Sequence, residues 1–208
     1  ILSEYTGVPV HIAHVSTKTS VELIRQAKRR GVKVTAETCP HYFTLTEKAC
    51  LGYDTNAKMN PPLRTEEDLR AVIEGLKDGT IDIIATDHAP HHIDEKNVEF
   101  EKAANGIVGF ETALALGYSY LVEQGHLTLS GLIRKMTVNP ARMLKIDKGT
   151  LECGKAADLI IVDFDNEYKI DVSKFASKSK NSPFDGFMVK GRVMTTMVNG
   201  KIVYQYQR

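Results

Sequence analysis

Tryptophan is absent from this sequence, and cysteines and long hydrophobic runs are scarce. Of the 208 residues, none is Trp and three are Cys. Cys39, Cys50 and Cys153 show no CxxC spacing, which argues against a secreted disulfide framework and indicates a reducing compartment. No apolar run approaches the roughly 18 residues of a membrane-spanning helix, and no signal-peptide pattern occurs. We therefore expect a soluble cytoplasmic protein without a membrane partner.

An excess of charge of one sign is also lacking. Lys and Arg total 27 against 26 Asp and Glu, for a formal net charge of +1, and neither sign forms a long run. Proteins that bind nucleic acids or membrane surfaces usually carry a basic excess or a basic patch. Aromatic residues do not interleave with basic ones, so a platform for single-stranded nucleic acid is not indicated either. These absences favour a small-molecule ligand.

The first part of the sequence alternates short β-rich runs with amphipathic helical patterns. Strands are predicted over residues 8–13, 32–37 and 81–86, and helices over residues 19–30 and from Thr65 onward. Thr65 places an N-cap hydroxyl before three acidic residues, which suit the positive end of a helix dipole. Helices between successive strands imply parallel pairing, because a crossover joins parallel neighbours. The pattern predicts an α/β fold whose strands are buried on both faces.

The second part changes first to helices and then to β structure. Helices are predicted over residues 111–123 and 130–136, and a strand over residues 158–163. A hairpin is predicted around Asn199-Gly200, because this dipeptide between β-branched runs is a strong hairpin signal. We therefore divide the chain into an α/β portion, residues 1–147, and a small β-rich module, residues 148–208.

Polar side chains collect where the three predicted α/β strands end. His14 follows the first strand, Cys39-Pro40-His41 follows the second, and Asp87 begins a His-rich segment after the third. The carboxyl ends of parallel strands carry the active site in α/β folds. Each residue also has a structural interpretation, since a single His is more often hydrogen-bonded than metal-bound and Asp87 could cap a helix. Three such strand ends together favour a site.

Five motifs together resemble dihydroorotases of the kind related to hydantoinases. The resemblance covers nearly the whole chain, and the order and spacing of the motifs also agree. The motifs are His14-Val15-Ser16-Thr17, Glu37-Thr38-Cys39-Pro40-His41-Tyr42, Lys58-Met59-Asn60-Pro61-Pro62-Leu63-Arg64, Ala85-Thr86-Asp87-His88-Ala89-Pro90-His91 and Gly106-Ile107-Val108-Gly109-Phe110-Glu111-Thr112.

This resemblance implies the C-terminal part of a (β/α)8 barrel of the metal-dependent amidohydrolase type, followed by strands of a small β-sandwich. A complete barrel typically takes about 250 residues, and Ile1 is not an initiator Met. We therefore expect an incomplete portion of the enzyme that is inactive by itself.

The resemblance also implies a zinc-dependent dihydroorotase, which reversibly cyclises N-carbamoyl-L-aspartate to L-dihydroorotate in pyrimidine biosynthesis. By position, His14 and Asp87 are expected to bind metal, with one or two zinc ions in the complete site, and Asp87 is expected to carry the proton. The residues expected to contact substrate are Asn60, His91, Asn105 and Gly106. His41 is expected to shape the site rather than to bind metal.

Two alternatives remain open at this point. A hydantoinase or dihydropyrimidinase would share the fold and the metal site, although His91 suits a substrate carboxylate that a simple hydantoin lacks. A non-catalytic scaffold subunit would be expected to lose ligands, yet both ligand positions within this chain are filled. The resemblance also leaves open a homodimer or association with aspartate transcarbamoylase.

Overall fold

In the part of the chain that the structure describes, the fold is mixed α/β, with one parallel and one antiparallel sheet of three strands each. The computed structural model describes residues 1–207. The strands are β1 (Val10–Ile12), β2 (Val34–Thr38), β3 (Ile83–Ile84), β4 (Leu159–Lys169), β5 (Met188–Val198) and β6 (Lys201–Gln205). The helices are α1 (Leu2–Thr6), α2 (Lys18–Arg29), α3 (Pro40–Thr44), α4 (Glu66–Lys77), α5 (Ile93–Lys96), α6 (Ala113–Gly117), α7 (Leu129–Met136) and α8 (Val138–Leu144).

The parallel sheet has the order β1-β2-β3, as crossover helices require. Val10 pairs with Val34, and Thr38 pairs with Ile84. The prediction that the first strand is buried on both faces is wrong, because Val10 is 38% exposed and β1 lies at the sheet edge. The third strand is shorter than predicted, since its ladder ends at Ile84 before the chain turns towards Asp87.

Two amphipathic helices cover one side of this sheet. Helix α4 begins with the predicted cap at Thr65, whose hydroxyl accepts a hydrogen bond from Asp68 N in a capping box. Asp68 also accepts a hydrogen bond from Lys18 N at the start of α2, at 2.8 Å. The helices approach closely at Gly75, where an added Cβ would lie 3.0 Å from Val21. The two strand-connecting helices are therefore fixed against each other.

The predicted helix over residues 111–123 forms over residues 113–122 and changes from α to π geometry within its length. Helix α6 ends at Gly117 and continues as a π-helical turn, Tyr118–Val122. An added Cβ at Gly117 would lie 2.8 Å from Leu132 on α7. Close contact between these helices therefore requires a residue without a side chain at this position.

The antiparallel sheet follows the order β4-β5-β6. Strand β4 extends six residues beyond the predicted end at Asp163, to Lys169, because irregular pairing lets it follow β5. The predicted hairpin is confirmed: β5 and β6 pair around Asn199 and Gly200, which have φ values of 48° and 76°. Buried residues of this part, including Phe184 and Val189, join the same hydrophobic core as those near the parallel sheet.

Among the described residues, no helix is both long enough and apolar enough to cross a membrane.

Candidate functional site

The carboxyl ends of the three parallel strands lie side by side. Val15 N donates to Glu37 O at 2.8 Å, and Ala85 N donates to Thr38 O at 2.9 Å. The Thr38 hydroxyl also donates to Val15 O. These bonds hold the segments that follow the strands at one edge of the sheet, as parallel pairing predicts.

His14 and Asp87 face each other at this edge. His14 Nε2 lies 3.5 Å from Asp87 Oδ1, and the side chains are 31% and 26% exposed. Both residues have left-handed backbone conformations, with φ values of 55° and 49°. Such conformations are uncommon for residues other than Gly, and they cluster at functional sites. The turn at each strand end therefore directs one polar side chain towards the other.

The Glu37 carboxylate connects the imidazole rings of His14 and His11. One carboxylate oxygen lies 3.2 Å from His14 Nδ1, and the other lies 3.1 Å from His11 Nε2. His11 Nδ1 is in turn 2.8 Å from the Thr35 hydroxyl. A carboxylate at Nδ1 fixes the orientation of an imidazole and leaves Nε2 free to act as a ligand. Glu37 therefore orients His14 towards Asp87.

Burial shifts the ionisation of two groups at this edge. Desolvation raises the pKa of Asp87, with Glu37 adding to the rise and His14 opposing it. Desolvation, together with the smaller effect of nearby His14, lowers the pKa of His41 to about 3. His41 is 1% exposed and is neutral at physiological pH. Asp87 is thus the better proton acceptor of the two.

The donor set at the strand ends fits a metal ion. Ligand atoms of His14, Cys39 and Asp87 all lie within 4.8 Å of one another. Nitrogen, oxygen and sulfur donors of this kind suit zinc and other transition metals. Burial raises the pKa of the Cys39 thiol well above its usual range, so His14 and Asp87 are the stronger ligands near neutral pH.

The remaining predicted residues lie on two neighbouring loops and one separate turn. We call residues 87–92 the aspartate loop and residues 105–109 the glycine loop. They form a parallel bridge between His88 and Ile107. His91 Nε2 is 2.8 Å from Asn105 O, so His91, Asn105 and Gly106 lie together. Asn60 is exposed on the turn before the cis peptide bond to Pro61.

Gly106 occupies a position that only glycine fits without strain. Its φ is +102°, and an added Cβ would lie 2.6 Å from the Ala89 Cβ. Its amide donates to Lys58 O at 2.8 Å, which links the glycine loop to the turn that carries Asn60. The segments carrying the four predicted substrate residues are therefore connected, although Asn60 itself makes no side-chain hydrogen bond within the described residues.

A cavity of about 680 Å³ lies beside the segment that follows Asp87. His88, Phe110, Tyr168 and Arg192 are among its lining residues, and none of the predicted site residues lines it. The His88 and Phe110 rings stack at 3.9 Å on that side. We therefore place the site at the strand ends, where the ionisable groups converge, and not in the cavity.

The sequence did not reveal the contributions of Glu37, Lys96 and Asn181. Glu37 stands in a motif, but its contacts with His11 and His14 emerge only from strand pairing. Lys96 is 3% exposed and donates to Ala104 O at 2.8 Å and to Gly106 O at 3.2 Å. Asn181 lies far away in sequence, and its side chain donates to Gly106 O at 3.1 Å. No sequence signal indicated this contact.

Comparison with known proteins agrees with this geometry. The sequence profile of the Amidohydrolase family matches residues 1–203. The chain belongs to this family, whose members are generally metal-dependent.

Among curated proteins, the chain is similar to several dihydroorotases. It is 69% identical over 203 residues to the dihydroorotase of Acetivibrio thermocellus, covering 98% of this chain and 48% of that protein. It is 62% identical over 204 residues to that of Geobacter metallireducens, again covering 98% and 48%. The chain spans about half the length of the curated relatives it matches.

Solved structures of hydantoinase type share the fold. The L-hydantoinase of Arthrobacter aurescens gives a TM-score of 0.92 at 37% identity, with 98% of this chain and 46% of that one covered. The dihydropyrimidinase of Brevibacillus agri gives 0.93 at 25% identity, with the same coverage. The chain therefore has the amidohydrolase fold of these enzymes over nearly all its length.

Proposed function

We propose that this chain forms part of a dihydroorotase, which interconverts N-carbamoyl-L-aspartate and L-dihydroorotate in pyrimidine biosynthesis. The observation that carries the proposal is the pair formed by His14 and Asp87, 3.5 Å apart at the carboxyl edge of a parallel sheet. Curated relatives that are 57–69% identical are named dihydroorotases, which supports this substrate over others of the family.

The proposed metal is zinc, one or two ions per complete site, with His14 and Asp87 among its ligands. When bound, zinc makes water acidic enough to deprotonate near neutral pH and polarises the carbonyl under attack. Catalytic zinc sites usually have three protein ligands, so the proposal includes ligands from outside residues 1–207.

In this proposal Asp87 moves the proton. Hydrolysis of dihydroorotate joins a water oxygen to the ring carbonyl carbon and breaks the bond from that carbon to nitrogen. The carboxylate takes the proton that the water loses and delivers it to the departing nitrogen. Glu37 keeps His14 facing Asp87 during the step.

His91, Asn105, Gly106 and Asn60 are proposed to bind the substrate. A proton on His91 Nε2 would point at Asn105 O, 2.8 Å away, and His91 Nδ1 lies 3.2 Å from a Glu95 carboxylate oxygen. A substrate carboxylate would compete with that carbonyl for the same proton and would form the stronger, charge-assisted bond. The exposed Asn60 side chain is available for a further hydrogen bond. These residues orient the substrate and take no part in the proton transfer.

The proposed architecture is the C-terminal part of a (β/α)8 barrel in residues 1–147, followed by strands of a β-sandwich in residues 148–208. The parallel strand order and the later antiparallel sheet support it. We also propose a cytoplasmic location, which three free cysteines suit. Association with a second copy or with aspartate transcarbamoylase belongs to the same proposal.

A hydantoinase is the second candidate, because the solved structures of similar fold carry that name or that of dihydropyrimidinase. The identity to those enzymes is 37% and 25%, well below the 69% to a dihydroorotase. A non-catalytic scaffold is disfavoured, because a subunit that had lost activity would not need to keep His14 and Asp87 in strained conformations.

The test uses the natural full-length protein and its Asp87→Asn variant. We expect the parent to hydrolyse dihydroorotate faster than hydantoin or dihydrouracil, and to lose this activity when a chelator removes its metal. Asp87→Asn should lower kcat by at least about 100-fold. Asp94→Asn is the matched control, because Asp94 is an exposed carboxylate on α5, and its kcat should equal that of the parent.

Two results would contradict the proposal. A kcat for Asp87→Asn within about threefold of the Asp94→Asn control would remove the proton-carrying role. A parent that prefers hydantoin over dihydroorotate would establish the second candidate instead. Zinc content, measured by elemental analysis of the same samples, separates a lost proton carrier from a lost ligand.

A further inference from the structure

Asn181 is a buried residue that reaches the candidate site from a distant part of the chain. It lies between β4 and β5 and is 5% exposed. Its side-chain nitrogen donates to Ala89 O at 2.9 Å and to Gly106 O at 3.1 Å. Its side-chain oxygen accepts from His91 N at 3.3 Å, and its main-chain oxygen accepts from Val108 N at 3.0 Å. Asn181 therefore bonds to the aspartate loop and to the glycine loop at once.

The side-chain partners leave Asn181 little freedom. A buried amide needs hydrogen-bond partners, and both donors and the acceptor of this one are used on loop backbone. Partners on two different loops can be reached together only when the loops have the observed separation. Three other contacts link the loops directly: Ala89 N donates to Ile107 O, Gly109 N donates to His88 Nδ1 at 3.1 Å, and His91 Nε2 contacts Asn105 O. The contact of His91 with Asn105 O is the one that a substrate would displace.

We propose that Asn181 is a positioning residue for substrate binding, which sets the spacing between the loops that present His91 and Gly106. This inference rests on the proposed function, because it uses the substrate-binding roles of those residues. The four hydrogen bonds of Asn181 end beyond Asp87 and do not involve His14. The metal-binding pair and the proton-carrying step should therefore not depend on Asn181, whereas substrate affinity should.

The side chain of Lys96 also binds the backbone of the glycine loop, but its contacts differ from those of Asn181. Lys96 also donates to Gly106 O, but its other acceptor is Ala104 O, just before the same loop. Lys96 therefore stabilises the conformation of the glycine loop, and its side-chain hydrogen bonds do not reach the aspartate loop. Among the described residues, Asn181 alone joins Gly106 O to Ala89 O and to His91 N, which is why we assign the spacing of the loops to Asn181.

The experiment compares Asn181→Asp with Asn139→Asp in the full-length, metal-loaded protein. Asp keeps the size of Asn but removes both side-chain N–H donors. Asn139 is the matched control, because its side chain also donates to a backbone carbonyl, Asp82 O at 2.7 Å, before β3 and away from both loops. We expect Asn181→Asp to raise KM for dihydroorotate by about tenfold or more while kcat changes by less than about threefold. Zinc content should match that of the parent, and the control should keep the parental KM.

Equal KM values for Asn181→Asp and the control, or zinc lost from Asn181→Asp, would overturn the proposal. If Asn181→Asp does not fold, Asn181→Ser is measured in the same way, and failure of both to fold would make Asn181 a folding residue and also overturn it. A parent inactive on dihydroorotate contradicts the proposed function instead, and the KM comparison is then made with hydantoin.

Discussion

Replacing Gly106 with Ala should damage the candidate site through backbone geometry alone. The residue has a φ of +102°, and an added Cβ would lie 2.6 Å from the Ala89 Cβ. Carbon atoms in favourable contact are about 3.5–4.0 Å apart, so the two loops would have to separate by roughly 1 Å. Such a separation would stretch the bonds that Asn181 makes to both loops.

The expected cost has two parts. A left-handed backbone conformation costs an L-residue about 1–2 kcal/mol, and overpacking of a tight site typically adds about 1–3 kcal/mol. Gly154→Ala isolates the first part, because Gly154 has a φ of +87° and nothing within 4 Å of an added Cβ. We therefore expect Gly106→Ala to lower the free energy of unfolding by about 2–5 kcal/mol and Gly154→Ala by about 1–2 kcal/mol.

Urea unfolding of the two full-length variants measures both costs, and kcat/KM for dihydroorotate reports the site. Activity should fall for Gly106→Ala only. The double variant Ala89→Gly with Gly106→Ala removes the clash and keeps the unfavourable φ, so it should recover the overpacking part and much of the activity. The reasoning is refuted if Gly106→Ala matches Gly154→Ala in stability and activity, or if the double variant recovers neither.

Two further predictions concern buried lysines. Lys135→Met should lower the free energy of unfolding by about 1–3 kcal/mol, because Lys135 Nζ donates to the buried Ile81 O at 2.6 Å; exposed Lys102→Met is the control, and equal unfolding midpoints in urea would contradict the prediction. Burial lowers the pKa of Lys96 to about 8 from its usual 10.5, so between these values the unfolded chain binds more protons than the folded one. Stability relative to Lys96→Met should therefore rise as the pH increases through that window, and a constant difference between pH 8 and pH 10 would contradict this.

Local signals predicted the elements whose structure depends on neighbouring residues. The cap at Thr65 and the hairpin at Asn199-Gly200 are confirmed because a hydroxyl near a helix start and two positive φ values are properties of a few adjacent residues. The end of β3 at Ile84 and the change from α-helix to π-helix after Gly117 were missed. Both depend on contacts with residues far away in sequence, such as that between Gly117 and Leu132.

The same distinction applies to the candidate site. The proximity of His14 and Asp87 follows from parallel strands, since polar residues at their carboxyl ends must meet at one edge. The roles of these residues in metal binding and catalysis stay predictions. Glu37 bridges imidazoles that come from another strand, and Asn181 bonds to residues 73 to 92 positions earlier. No periodicity or motif encodes such a separation.

The left-handed conformations of His14 and Asp87 bear on any attempt to make this protein more heat-resistant. Glycine at either position would relieve about 1 kcal/mol of backbone strain, although the greater freedom of glycine in the unfolded chain would offset part of the gain. A screen that rewards survival at high temperature, without asking for turnover, would therefore tolerate or enrich variants lacking the imidazole or the carboxylate. Directed evolution of this fold needs those two codons held fixed, or a selection that demands activity in every round.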